Sequence, residues 1–446
     1  MTGKKIVISF LRARILFRLR GLAIVSAIVA ALLGGFGFTS YAEGSLTQKL
    51  ESFSFDKLFD LKGLKLELGF SRPAALRGKR CSLKLIAVGD VLIHDSLRRS
   101  AATDAGYDFQ PPFEHVAGLL KQADLVIANL ENPLAGADRK FSGYPNFNAP
   151  DELASGLRKA GFTAVTVANN HSLDRGWSGL ERTLKTVDAA GLKYIGAYAS
   201  PDDKLSRLVS VHNGIKVALL AYTYGLNGRA PPKAGEEWRL GVIDLDLIFR
   251  DMAQARDQGA DFVILSLHFG NEYQRKPSSE QKELVSKLLA GGRAPGQAGP
   301  DLILGHHPHV VQPLIYLAGK GGRPSQAVIY SLGNFITSQP FPYTDLGLIL
   351  DVQLSIEADG RRTIGPFRLI PTYCQKGADK KGRFFRVIPL ELAAKRPQDY
   401  GIGNESAKKL AKQFFEMARH LTSMLEPIDG LEPTTAQAID PLLKTH

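Results

Sequence analysis

Cysteine is nearly absent from this 446-residue chain, which holds only Cys81 and Cys374. Two thiols are too few for a zinc-thiolate site or a disulfide framework. They bracket the body of the chain, one just before the first strand-like segment and one near the last. In an oxidising compartment a Cys81–Cys374 bridge is one expectation, and two inert thiols are the other. No internal repeat recurs at a fixed period. Acidic residues are missing from the first twenty positions, where Lys4, Lys5, Arg12, Arg14, Arg18 and Arg20 fall. These six account for half of the net charge of +12. The remaining surplus is spread out, without the basic and aromatic interleaving of a nucleic-acid platform, so the expectation is no nucleic-acid partner.

Charge of either sign is missing from GLAIVSAIVAALLGGFGF, Gly21 to Phe38. About 18 helical residues at roughly 1.5 Å each reach about 27 Å, the thickness of a bilayer's hydrocarbon core. The basic flank stays on the cytoplasmic side, which puts everything after Phe38 beyond the membrane. Ser40-Tyr41-Ala42 also fits a small-x-Ala cleavage site, so a removed signal peptide competes with a retained, single-pass anchor in the cytoplasmic or inner membrane. The long basic region and the length of the run favour the anchor. Either way the body of the protein is expected outside the cytoplasm.

Four segments follow: 1–42 as basic segment and anchor, 43–81 as a spacer, 82–375 as the main domain, and 376–446 as a carboxyl-terminal extension. The main domain carries a recurrent design. LKLIAV runs into Gly89-Asp90, DLVIA into Asn129-Leu130-Glu131, and TAVTVA into Asn169-Asn170-His171. DFVILSL runs into His268, with Glu272 four residues on; DLILG runs into His306-His307-Pro308-His309, and AVIYSLG into Asn334-Phe335. Short apolar runs bounded by turn signals predict strands buried on both faces of an α/β fold, whose carboxyl ends form the ligand-binding edge. Helices are predicted over Leu180–Leu192 and, behind a serine cap, over Ser278–Gly292. LGLILDVQLSIEADGRRTIGPFRLIPTYC predicts two antiparallel strands around an Asp359-Gly360 turn. The tail predicts an amphipathic helix with Leu410, Phe414, Ala418, Leu421 and Leu425 on one face.

The polar residues gather at those strand ends: Asp90, Glu131, Asn170, His171, His268, Glu272, His307 and His309, with His94, Asn129 and Asp174 nearby. Carboxylate, carboxamide and imidazole without thiolate suit divalent Mn, Fe, Zn or Mg. On an extended segment His307 and His309 would share a face and serve one or two neighbouring ions. Two ions about 3.5–4 Å apart can hold a phosphate-like oxyanion and activate water. Glu272, Tyr273 and Asp174 have two readings, as orienters of histidine rings or as plain surface residues.

Taken in order, GDVLI, NLENPL, VANNHSLDRG, LHFGNEY, GHHPHVVQP and YSLGNFI resemble the CapA family of bacterial capsule or poly-γ-glutamate synthesis proteins, within the calcineurin-like metallophosphoesterase superfamily. The match covers about Leu83 to Thr337. The resemblance implies a four-layer α/β/β/α sandwich with two divalent metals at strand ends. It implies Asp90 and His309 on a first metal, Glu131 as the bridging carboxylate, and Asn170, His268 and His307 on a second. His171 would be the acid or transition-state stabiliser, so His171, Asp174 and Glu272 form the expected catalytic set. Ser331, Gly333 and Asn334 would shape the pocket wall. The chain departs from the superfamily pattern in lacking Asp-x-His, with His94 four positions after Asp90, and in having Asn129-Leu130-Glu131 where Gly-Asp-x-x-Asp is usual. His306 is an alternative to His307. The resemblance further implies hydrolysis of a phosphoester or amide-like bond, an anionic surface polymer or its precursor as partner, and association with capsule synthesis or export proteins. A non-catalytic accessory that holds such a polymer is the alternative.

Overall fold

The computed structural model describes residues 79–292, 298–319, 325–380 and 382–422. The expected anchor and nearly all of the spacer lie outside these residues, and among the described residues no helix is long and apolar enough to cross a membrane.

Two sheets form the scaffold of a mixed α/β fold. The larger contains β1 (Cys81–Val91), β4 (Leu125–Leu130), β5 (Ala164–Thr166), β6 (Lys193–Ile195), β13 (Asn334–Ile336), β14 (Leu346–Ile356), β15 (Arg362–Asp379) and β16 (Gly382–Pro389). Its order is β16-β15-β14-β1-β4-β5-β6, with β13 joined to the end of β1. The run β1-β4-β5-β6 is parallel, and β14, β15 and β16 add an antiparallel half. The smaller contains β7 (Val209–His212), β8 (Ile215–Thr223), β9 (Phe262–His268), β10 (Leu302–His306), β11 (Leu314–Leu317) and β12 (Gln326–Ile329). Its order is β11-β12-β10-β9-β8-β7, parallel except at its two edges. A small hairpin pairs β2 (Ala102–Thr103) with β3 (Gly106–Tyr107).

Alternation within the smaller sheet shows how the layers stack. Ile215, Val217, Leu219 and Ala221 of β8 belong to the core shared with the larger sheet. Their neighbours Ala218, Leu220 and Tyr222 pack instead with Ile248 and Met252 of the helix Leu245–Asp257, and with Val285 and Leu288 of the helix Ser279–Ala290. Each sheet face therefore meets a different layer, as a strand with period two requires. All seven residues of β9 are buried. At about 1.5–3 kcal/mol for each large apolar side chain buried, a slip of register there would be expensive, and the strand end is fixed in space.

Several sequence expectations are adjusted. The run IKVALLAYT forms β8, a central strand that the sequence series omits. β15 continues through residue 375 to Asp379, and β16 pairs with it, so 376–389 belongs to the larger sheet and not to a separate extension. The first predicted helix starts earlier, spanning Gly176–Ala189. The second has its serine cap, with Gln281 completing a capping box on Ser278. The tail helix spans Asn404–Thr422, and Met417, not Ala418, lies buried with Leu410 and Leu421. Leu425 lies outside the described residues. The cysteines are free and buried. Cys81 is level with Ile356 at one end of β14, whereas Tyr373, beside Cys374, is level with Leu346 at the other. Ten residues of strand separate those levels by roughly 30 Å, far beyond the span of a disulfide.

Candidate metal centre

The parallel strands of both sheets deliver their carboxyl ends to one edge, and side chains far apart in the chain meet there. Asp90, fully buried near the end of β1, accepts from Asn129 Nδ2 at 2.8 Å. His306 Nδ1 lies 3.1 Å from its Oδ1, His309 Nδ1 lies 3.3 Å from its Oδ2, and the His307 backbone N–H donates at 3.3 Å. Burial alone would raise the Asp90 carboxyl, but the hydrogen bonds to His306 and His309 overcome it and hold the group well below its ordinary value. Two glycines permit this approach. A Cβ on Gly89 would lie 1.8 Å from the Gly333 carbonyl oxygen, and one on Gly305 would lie 1.9 Å from that of Tyr330.

Glu131 sits between the sheets. Its Oε1 is 3.5 Å from His268 Nε2 and 3.8 Å from His309 Nε2. His268 Nε2 also meets Asn170 Oδ1 at 2.9 Å. Burial pushes the Glu131 carboxyl well above its ordinary value, and the nearby charges of Asp90, Glu272 and Asp174 push it further. Burial and the neighbouring His309 lower the His307 imidazole to about 3, and burial with His307 lowers His268 well below the usual range. Both rings are consequently neutral, the form that binds metal.

His171 is held beside these residues by a carboxylate of its own. Its Nδ1 is 2.8 Å from Asp174 Oδ2, and the same oxygen accepts the Phe147 backbone N–H at 2.7 Å. The Phe147 ring meets the His171 ring edge-on at 4.7 Å. Asp174 thus orients His171 and fixes which ring nitrogen faces it. Glu272 is exposed, and one of its carboxylate oxygens groups with His307 and His309.

All nine predicted site residues come together. The predicted local geometry of the histidine cluster does not hold. β10 ends at His306, and His307 and His309 take φ of +96° and +58°, so the segment is not extended beyond that strand. The turn lets all three imidazoles enter the site, with His306 as the ring nearest Asp90 Oδ1. His94 is half-buried, edge-on to Phe147 at 5.2 Å, and joins none of the candidate ligand groups among the described residues. Tyr224 and Asn227, which follow β8, are site residues that the sequence reading misses. Asn227 Oδ1 accepts from Asn170 Nδ2 at 3.2 Å, and its Nδ2 is 3.3 Å from His171 Nδ1. Their signal was present as one more apolar run ending in a polar turn, but it contains no ionisable ligand type. Asn334, expected on the pocket wall, reaches inward and contacts His309 Nδ1 through Oδ1 at 3.1 Å.

The donor set fits divalent metal. Ligand atoms of Glu131, His268 and His307 lie within 4.8 Å of one another, as do those of Asp90, Glu131 and His309. Glu131 Oε1, His306 Nε2 and His307 Nδ1 are buried without a hydrogen-bond partner. An orphaned buried polar atom costs about 1–3 kcal/mol, and a cation among neutral imidazoles and carboxylates would offset that cost.

A family model described as bacterial capsule synthesis protein PGA_cap matches residues 84–339. The capsule biosynthesis protein CapA of Bacillus anthracis is 30% identical over 326 residues, covering 70% of this chain and 74% of that protein. The PGA biosynthesis protein CapA of Bacillus subtilis is 30% identical over 262 residues, covering 57% of this chain and 64% of that protein. The solved NAD nucleotidase NadN of Haemophilus influenzae aligns over 76% of this chain and 63% of its own, with 14% identity and a TM-score of 0.42.

Proposed function

Since the chain belongs to the PGA_cap family of bacterial capsule synthesis proteins, we propose that it serves the synthesis or export of a surface polymer as a metal-dependent hydrolase on a metallophosphoesterase-like sandwich. In this reading Gly21–Phe38 anchors it in the membrane, with the domain on the extracytoplasmic side among the other synthesis and export proteins. The observation that carries the hydrolase reading is the convergence of Asp90, Glu131, Asn170, His268, His307 and His309 around buried, unpartnered ligand atoms. Asp90 and His309 would hold one divalent ion, Asn170, His268 and His307 a second, and Glu131 both. Bound there, the metals supply Lewis acidity toward an anionic oxygen and lower the pKa of a coordinated water to about 7.

The chain's own groups do the rest. His306, Asn129 and the His307 amide fix the Asp90 carboxylate before any ligand arrives. Asp174 accepts from Nδ1–H of His171, so in its imidazolium form the ring would carry a second proton, on Nε2, to give to the leaving oxygen. Phe147 packs against that ring and keeps water from it. The missing Asp-x-His histidine, together with the position of His94 away from the ligand groups, speaks for the alternative of a non-catalytic holder of anionic polymer. Bound metal is measured on the purified chain, and phosphodiester and γ-glutamyl substrates are assayed with and without Mn beside His171→Ala and Asp90→Ala. Turnover that needs metal and both residues supports the hydrolase. Metal without turnover supports the holder.

A further inference from the structure

Four of the seven exposed large hydrophobic side chains among the described residues surround the candidate metal centre: Tyr144 at 76% exposure, Tyr224 at 49%, Phe341 at 47% and Tyr273 at 37%. Each is tied to a site histidine. The Tyr224 ring is 4.6 Å from that of His307, and the Tyr273 ring is 6.1 Å from that of His309. Phe341 extends the second pair, 4.4 Å from Tyr273, and Tyr144 reaches His171 through Phe147. Single exposed apolar residues are ordinary on a protein surface, but a set gathered at one functional opening marks a ligand surface.

The chemistry of this rim is selective. Its contacts pair ring with ring, and Arg275, two residues after Tyr273, lies over the Tyr343 ring at 4.3 Å. Tyr273 and Phe341 pack on each other with their planes 43° apart, and both stay exposed, so either face is open to a ligand ring.

We propose that the substrate is a phosphoester whose alcohol carries a ring, a pyranose or a nucleoside, and that this ring rests on Tyr224 or on the Tyr273–Phe341 pair. The proposal rests on the hydrolase reading for the position of the scissile bond. In the reaction water adds to phosphorus, the P–O bond to the ring-bearing alcohol breaks, and that alcohol oxygen takes the proton.

The test uses the full chain loaded with Mn²⁺ and measures binding by calorimetry in parallel with phosphate release. The probes are glucose 1-phosphate, adenosine 5′-monophosphate, the ring-free glycerol 3-phosphate and oligo-γ-glutamate. At least one ring-bearing phosphate is expected to bind about tenfold tighter than glycerol 3-phosphate, the worth of one good stacking contact. Tyr224→Ala or Phe341→Ala removes most of that advantage, and Tyr224→Phe keeps it. Which of the two ring ligands leads identifies the source of the ring. Equal binding of all phosphates, tighter binding of oligo-γ-glutamate, or an advantage untouched by both alanine variants overturns the proposal. Phosphate release without ring preference leaves the hydrolase standing and removes this inference, whereas ring preference without release removes the hydrolase reading and with it the substrate claim, leaving only a ring-binding surface.

Discussion

The His171 ring and the Asp174 carboxylate, three residues apart, meet at 2.8 Å with both side chains buried. The contact is local in sequence, yet its value lies in how it holds His171 relative to ligands from four other strand ends. Asp174→Asn replaces an acceptor by a group that can donate, and is expected to lower kcat by about 10–100-fold with bound metal unchanged. Parallel metal analysis and kinetics check this. Loss of metal along with rate would mean that Asp174 supports the fold of the site and not the orientation of His171.

Glu131 contributes to two of the three-residue ligand groups, whereas Asp90 contributes to one. Glu131→Gln should therefore lower the metal content of the purified protein further than Asp90→Asn does. In a two-ion site the expectation is near-complete loss against loss of about half. Elemental analysis after dialysis decides it, and equal losses would refute a shared carboxylate.

Proton release should accompany metal uptake. Glu131 keeps its proton into a range where an ordinary carboxyl is ionised, while His268 and His307 are already neutral. A metal must displace that proton, so affinity rises with pH until Glu131 ionises without metal. Titration calorimetry in buffers of different ionisation enthalpy should report proton release in the wild type and less of it in Glu131→Gln. The same raised pKa has a consequence for the metal-free fold. The native state binds more protons than the unfolded chain, so the contribution of Glu131 to stability falls as pH rises above the ordinary carboxyl range.

Gly305→Ala tests the close approach behind the histidines. Its Cβ would lie 1.9 Å from a backbone carbonyl oxygen, which cannot rotate away as a side chain can. A loss of about 1–3 kcal/mol or more is expected from the denaturation midpoint, together with weaker metal retention. A wild-type midpoint would show that β10 and β12 can separate there at little cost.

Much of the site was legible because burial and chemistry left separate marks in the sequence. Asp90, Glu131, Asn170 and His268 each follow an apolar run, and parallel strands carry such ends to a common edge. The histidine cluster was legible in composition but not in shape, because histidine rarely takes a positive φ and residue type gives no sign that His307 and His309 do. Tyr224 and Asn227 were hidden for a different reason. Neither is a typical metal ligand, and only the pairing of β8 with β9 brings them to the opening. The end of the domain was misplaced because β15 is long and ordinary in composition, and nothing local tells that β16 returns along it.

The pairing of Asp90 with His306 joins positions 216 residues apart, and β1 receives its neighbours β13 and β14 from the last third of the chain. A growing or translocating polypeptide therefore holds its first acidic ligand long before the imidazoles that complete the cradle exist. Such distant closure is slow, and an ion captured by the early segment alone would be weakly held. Any cation loading would then come last, drawn from whichever compartment the finished polypeptide folds in, and an ion taken up there would record the metal supply of that place.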